Sequence, residues 1–159
     1  MGAGATALRE ATTADLPTLL ALVHGAFEEY RGRLDPPSGA HAETLESLGR
    51  ALRPGGALLA SVDDRPAGCV FYHREPDHVY LGRLSVLAAH RSRGLGGMLP
   101  DGVEHLALAM GVPRVELGVR TARPALRAYY ERRGYRVVRQ EAHAGYASPT
   151  YVVMQKELR

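Results

Sequence analysis

Cys69 is the only cysteine in the 159 residues, so no disulfide can form within the chain and a reducing compartment is the expected setting. It lies in the apolar run from Ala67 to Tyr72, where a small core residue belongs, and no histidine or charge pattern at close spacing activates it. Lysine is nearly absent as well: Lys156 stands alone, and arginine carries the rest of the positive charge. The 20 Lys plus Arg against 17 Asp plus Glu contain no block of five like charges, which argues against nucleic-acid binding. No apolar stretch approaches membrane-spanning length and no signal-peptide core follows Met1, so the expectation is a cytoplasmic protein with no membrane partner. No His, Cys or Asp pair has compelling ligand spacing, and no metal is expected.

The length fits one domain over residues 1–159. Leu8 to Ala11 reads as a first strand, and Leu16, Leu19, Leu20, Val23 and Phe27 then fall on one helical face. Gly32, Asp35, Pro36, Pro37 and Gly39 mark a loop over Arg31 to Ala40. A second helix carries Leu45, Leu48 and Leu52 and is expected to stop at Pro54-Gly55-Gly56. Ala57 to Val62 and Ala67 to Tyr72 form strands about a tight turn, and Val79 to Val86 forms another. Leu99, Val103, Leu106, Ala107 and Met110 give a third helical stripe, ended by Gly111. Val115 to Val119 alternates as a strand, Pro124 opens a helix to Arg133, and Gly134 caps it. Tyr135 to Val138 and Tyr151 to Met154 close the chain as strands. The order β-α-α-β-β-β-α-β-α-β-β predicts a mixed sheet with helices on its faces.

The chemistry concentrates where Leu84-Ser85-Val86 leads into Arg91-Ser92-Arg93-Gly94-Leu95-Gly96-Gly97 and then into the third helix. Glycines let a backbone approach an anion closely, and a helix N-terminus adds partial positive charge. Arg91 and Arg93 supply fork-shaped donors suited to phosphate oxygens. No Gly-Lys-Ser/Thr follows Gly94, which excludes a P-loop, and the count from Gly94 and Gly96 reaches Leu99 where a dinucleotide fingerprint needs a third glycine. A pyrophosphate-binding turn of another kind is the reading that stands.

This order, with Arg91-x-x-Gly94-x-Gly96 before the third helix and Tyr130-Glu131-Arg132-Arg133-Gly134-Tyr135 ending the fourth, resembles the GNAT family of N-acetyltransferases. The resemblance implies an α/β (α+β) fold: a mixed, mostly antiparallel six- to seven-stranded sheet, helices on both faces, and a splay between strands 4 and 5. It implies acetyl-CoA as cosubstrate, with Leu84, Ser85 and Val86 pairing with pantetheine amides and Arg91 to Gly97 wrapping the pyrophosphate. Val86 N–H is the implied donor to the carbonyl oxygen. The activity implied is acetyl transfer to a primary amine by direct attack, the acceptor being a small or amino-acid-like molecule. A non-catalytic acyl-CoA sensor and a protein N-terminal or lysine acetyltransferase are the competing readings, and a homodimer is compatible with such a fold.

Tyr130 matches the tyrosine the family uses as general acid; Tyr129 is one residue out of phase and points about 100° away on a helix. Glu75 is the chosen general base, from a group that includes His73, His78, Tyr80, Glu28, Glu29, His143 and Tyr146. Arg31 and Arg33, beside Asp35, are candidates for reading an acidic group on the acceptor. Two residues depart from the family pattern. Pro100 falls in the first turn expected of the third helix, and Arg123 stands where the family often has Asn, which leaves it reaching a phosphate or solvated.

Overall fold

The computed structural model describes residues 5–91 and 93–158. Among these, the chain forms seven strands and four α-helices in the expected order. They are β1 (Thr6–Glu10), α1 (Leu16–Phe27), α2 (Leu45–Leu52), β2 (Gly55–Val62), β3 (Arg65–Arg74) and β4 (Val79–Val86). α3 (Leu95–Ala109), β5 (Arg114–Arg120), α4 (Pro124–Arg132), β6 (Arg136–Glu141) and β7 (Tyr151–Glu157) follow. The strands build one sheet ordered β1-β2-β3-β4-β5-β7-β6, antiparallel everywhere except between β4 and β5. No described helix is long and apolar enough to cross a membrane.

One boundary departs from expectation for a clear reason. Gly55 and Gly56 open β2 instead of ending α2. A Cβ on Gly55 would lie 2.0 Å from the Tyr72 carbonyl oxygen, and one on Gly56 would lie 2.5 Å from the Tyr72 hydroxyl. Glycine here permits a close strand approach, so the residues that look like breakers are part of the sheet.

Alternation along the strands sends side chains to two apolar layers. On one face, Leu19, Leu22 and Val23 of α1 and Leu48 of α2 pack over Ala57, Leu59, Cys69 and Phe71. On the other, α3 and α4 lay Leu95, Leu99, Val103, Ala107 and Tyr130 against Leu58, Val70, Leu81, Val115, Leu117 and Val119. The helices thus cover both faces, as a mixed sheet requires.

β4 carries the feature that shapes everything below. Cys69 pairs with Ser85 and Phe71 with Gly82, so one residue of β3 faces two of β4, Arg83 and Leu84. This is a β-bulge, and Arg83 adopts a left-handed φ of 51° in it. On the opposite edge, β4 pairs with β5 only at Val79–Val115 and Tyr80–Glu116. Beyond Tyr80 the two parallel strands separate. The splay implied by the resemblance is present.

Cys69 has no solvent exposure, and burial pushes its thiol up to about 12. The thiol is therefore protonated and inaccessible at neutral pH. Native protein at pH 8 should react with a disulfide reagent at least about a hundredfold more slowly than urea-unfolded protein, measured by thiolate release.

Candidate functional site

The gap between β4 and β5 leaves backbone groups without a ladder partner. Leu87 N–H donates to the Ala67 carbonyl in β3 at 3.0 Å. Alternation then directs the amides of Leu84 and Val86 toward the gap. The Val86 carbonyl accepts from Arg91 Nε at 3.1 Å, and Val86 N–H remains as a donor facing the opening. Ser85 is buried, its hydroxyl donating to the Arg83 carbonyl at 3.0 Å across the bulge.

The turn after β4 divides its expected phosphate ligands into two groups. Arg91 is committed to the protein: besides Val86 it donates to the Ala26 carbonyl at 3.2 Å and pairs with Glu29. Its guanidinium fastens the end of α1 to the turn. Arg93 is exposed, and Ser92 lies outside the described residues. Gly94 holds φ +80° and caps α3, its carbonyl accepting from Gly97 N at 3.2 Å and Met98 N at 2.9 Å. The N–H groups of Leu95 and Gly96 precede any intrahelical acceptor. A Cβ on Gly94 or Gly96 would meet nothing within 4 Å, so the turn is open on its outer side. Two backbone amides at a helix N-terminus, with the exposed Arg93 in the same turn, thus form an open site of the kind that holds a pyrophosphate.

Pro100 is the sixth residue of α3, not part of its first turn, and the helix begins at Leu95. Its missing N–H deprives the Gly96 carbonyl, four residues back, of its helical donor. α4 supplies a replacement. Tyr129 Oη donates to the Gly96 carbonyl at 3.0 Å, and Arg133 Nη2 contacts the Gly97 carbonyl at 3.4 Å while pairing with Asp101. The proline and the tyrosine therefore form one device that bolts α4 onto the glycine turn. Nothing in the residue type of Tyr129 announced this, since its partner is a backbone oxygen 33 positions away.

Tyr130, on the next helical position, points into the core between Tyr129 and Tyr135, with ring centroids 5.2 and 5.4 Å away and near-perpendicular planes. Its hydroxyl makes no protein hydrogen bond among the described residues. Burial, reinforced by Tyr129, holds the phenol well above its ordinary value, against a weaker pull from Arg133 and Arg123. It is a protonated donor at any working pH.

A cavity of about 150 Å³ lies between α2 and the β3–β4 pair, lined by Glu43, Phe71, His73, Tyr80, Gly82 and Arg83 among others. Glu75 does not line it. Its carboxylate lies 3.0 Å from His73 Nε2, and the His73 ring stacks on Tyr80 at 5.4 Å, so Glu75 connects to the cavity through the imidazole. Both residues lie at the closed end of the splay, near the start of β4. His78 turns elsewhere, toward Asp77 and Glu116.

The loop from Arg31 to Ser38 is tied to the end of β5 and to the loop between β6 and β7. Arg120 Nη1 and Nη2 donate to the carbonyls of Pro36 and Pro37 at 2.7 and 3.2 Å, and Tyr146 hydrogen-bonds Asp35. Arg123 lies 4.3 Å above the Tyr30 ring and donates to its hydroxyl at 2.5 Å. Arg31 pairs with Glu28 at 3.0 Å and Arg33 is exposed, both away from the cavity. His143 bonds Thr150 within its own loop. Arg83, Glu43 and Arg120 were not singled out by sequence. The available signal was Arg83 itself, a charge where the apolar alternation of Val79 and Leu81 calls for a buried residue.

Tyr129→Phe should cost about 1 kcal/mol of stability by orphaning the Gly96 carbonyl. In a Pro100→Ala background the restored N–H satisfies that carbonyl, and the same substitution should be nearly neutral. Urea unfolding of the four proteins measures the coupling; additive costs would remove the proposed exchange of donors.

Residues 19–135 match the family described as Acetyltransferase (GNAT) family. Among solved structures, the chain resembles the ribosomal-protein-S18-alanine N-acetyltransferase from Escherichia coli, with a TM-score of 0.77, 17% identity, and coverage of 97% of this chain and 94% of that one. It also resembles PaiA N-acetyltransferase from Thermoplasma acidophilum, solved in complex with coenzyme A, with a TM-score of 0.78, 18% identity, and coverage of 96% and 99%. Ard1 from Thermoplasma volcanium gives a TM-score of 0.77, 16% identity, and coverage of 98% and 99%. At these identities the structures attest the fold, while the family match spans the splay, the glycine turn and the tyrosine helix. On that match, the chain belongs to the GNAT acetyltransferase family.

Proposed function

We propose that this protein transfers the acetyl group of acetyl-CoA to the primary amine of a small molecule in the cytoplasm. The observation that carries the reading is the unpaired edge of β4 beyond Tyr80, followed by the turn that is open at Gly94 and Gly96. An extended, amide-bearing chain ending in a pyrophosphate matches that sequence of donors: strand amides first, then helix N-terminal amides.

A free alkyl amine has a pKa near about 10.4 and is mostly protonated at neutral pH, so a group must take its proton. His73 lines the cavity, and Glu75 at 3.0 Å orients its ring and steadies the imidazolium that forms. The base of the reaction is thus Glu75 acting through His73, reached through water. His73 pairs with Tyr80, whereas Val86 pairs with Gly68, roughly 16 Å back along β3. The amine nitrogen bonds to the acetyl carbon, and the developing oxyanion accepts from Val86 N–H. The carbon–sulfur bond then breaks with Tyr130, as general acid, donating its hydrogen bond to the departing sulfur. Burial makes the phenol a weaker acid than a thiol of pKa roughly 8.5, so the proton that completes the thiol is the one taken from the amine, delivered through solvent.

The strapped loop supports a small acceptor over a protein segment. A polypeptide substrate needs an open groove where residues 31–41 sit, and contacts from Arg120, Arg123 and Tyr146 span that place.

Two measurements test this reading. Free CoA release from acetyl-CoA should depend on added amine, and silence across amines, amino acids and short peptides would favour a binding-only role. Tyr130→Phe should lower kcat by about 10² with the KM for acetyl-CoA within about twofold, since only that hydrogen-bond donor is lost.

A further inference from the structure

Three arginines lie together beside the cavity, of which Arg83 lines it and stands close enough to Arg120 for their charges to interact. Arg83 comes from the β4 bulge, Arg120 ends β5, and Arg123 precedes α4. Among the described residues only Arg83 of the three has an ionic partner, Glu43 at 2.7 Å. Arg120 is half-buried yet bonds two neutral carbonyls, and Arg123 bonds a phenol and its ring. Asp35, the nearest acid in the loop, is already engaged by Tyr146.

We propose that the acetyl acceptor carries an acidic group, a carboxylate placed as in an amino acid, and that Arg120, backed by Arg83, recognises it; this rests on the transferase reading above. A guanidinium withdrawn from water is stabilised far better by a carboxylate than by carbonyl oxygens, because only the former cancels its charge. Arg120 shows the strain of that shortage: burial pulls its pKa down, and the neighbouring Arg83 charge pulls the same way, against Tyr146 and Asp35. The planar fork also fixes orientation, which an ammonium does not.

The pyrophosphate of the donor is not the anion these residues await. Arg120 shares its strand face with Glu116 and Gly118, whose own neighbours are Tyr80 and Tyr151. α3 and its glycine turn pack on the opposite face. Arg31 and Arg33, the earlier candidates for acid recognition, project from the loop's outer side, one paired with Glu28. The loop carbonyls of Pro36 and Pro37 hold the Arg120 guanidinium in position while leaving its other N–H donors to a carboxylate.

The test compares α-amino acids with their own carboxamides as acceptors, by kcat/KM corrected for the fraction of neutral amine. Acids should exceed amides by about tenfold or more, the discrimination expected of one charge-assisted pair. That ratio should fall toward one in Arg120→Gln and recover in part in Arg120→Lys, which retains charge without the fork. Far-UV circular dichroism checks the fold, and the ratio is read on folded protein. The reduced ratio expected of Arg120→Lys carries the test if Arg120→Gln does not fold. Amides equal to acids, an unchanged ratio in Arg120→Gln, or preference for peptides with no nearby carboxylate would each overturn the proposal. If no amine is acetylated, the transferase reading fails by itself, and calorimetric titration of the CoA-loaded protein decides the anion site. Binding of acids but not amides, abolished in Arg120→Gln, supports it; equal binding or none refutes it.

Discussion

The site depends on a strand pair that stops. β4 and β5 are bonded at Val79–Val115 and Tyr80–Glu116 and nowhere further, because the bulge at Arg83 and Leu84 turns β4 away from its parallel neighbour. Unpaired strand edges inside a sheet carry a desolvation cost, since each amide and carbonyl there lacks a partner. The fold tolerates that cost by leaving the edge where a ligand can reach it. The left-handed φ at Arg83, uncommon for a residue with a side chain, belongs to the same distortion.

Around this opening the arginines do more architectural than ligand work. Arg91 binds α1 to the strand end, Arg120 and Arg123 strap the loop after α1, and Arg133 braces the first turn of α3. Each spans elements far apart in sequence, using several donors in a fixed plane. Lysine, a point charge on a flexible stem, cannot hold two carbonyls at set distances as Arg120 does, and the chain uses lysine once.

Much of this was legible in the sequence. Local patterns carry the element order, because strand and helix periods differ and glycine and proline punctuate them. Val79–Val86 is read to the residue, and the α3 stripe falls on the buried Leu99, Val103 and Ala107 and the partly buried Leu106 and Met110. The glycine turn is legible because anion binding by backbone demands particular residue types in a row. What escapes is set by contacts between distant segments. Gly55 and Gly56 look like breakers until Tyr72 is seen against them. Arg91 looks like a phosphate ligand until Glu29 and Ala26 claim its donors. Glu75 reaches the cavity only by way of His73, a relation that requires the β3–β4 hairpin to exist first. Tyr129 and Pro100 are each unremarkable alone, and their meaning lies in one shared carbonyl.

Because the sheet is clad on both sides, the opening between β4 and β5 is flanked by α3 and α4 on one face and by α1 and α2 on the other. A strand edge left unpaired in such a place is shielded from the neighbouring chains that an outer edge would attract. The fold can thus keep free backbone donors without inviting edge-to-edge association.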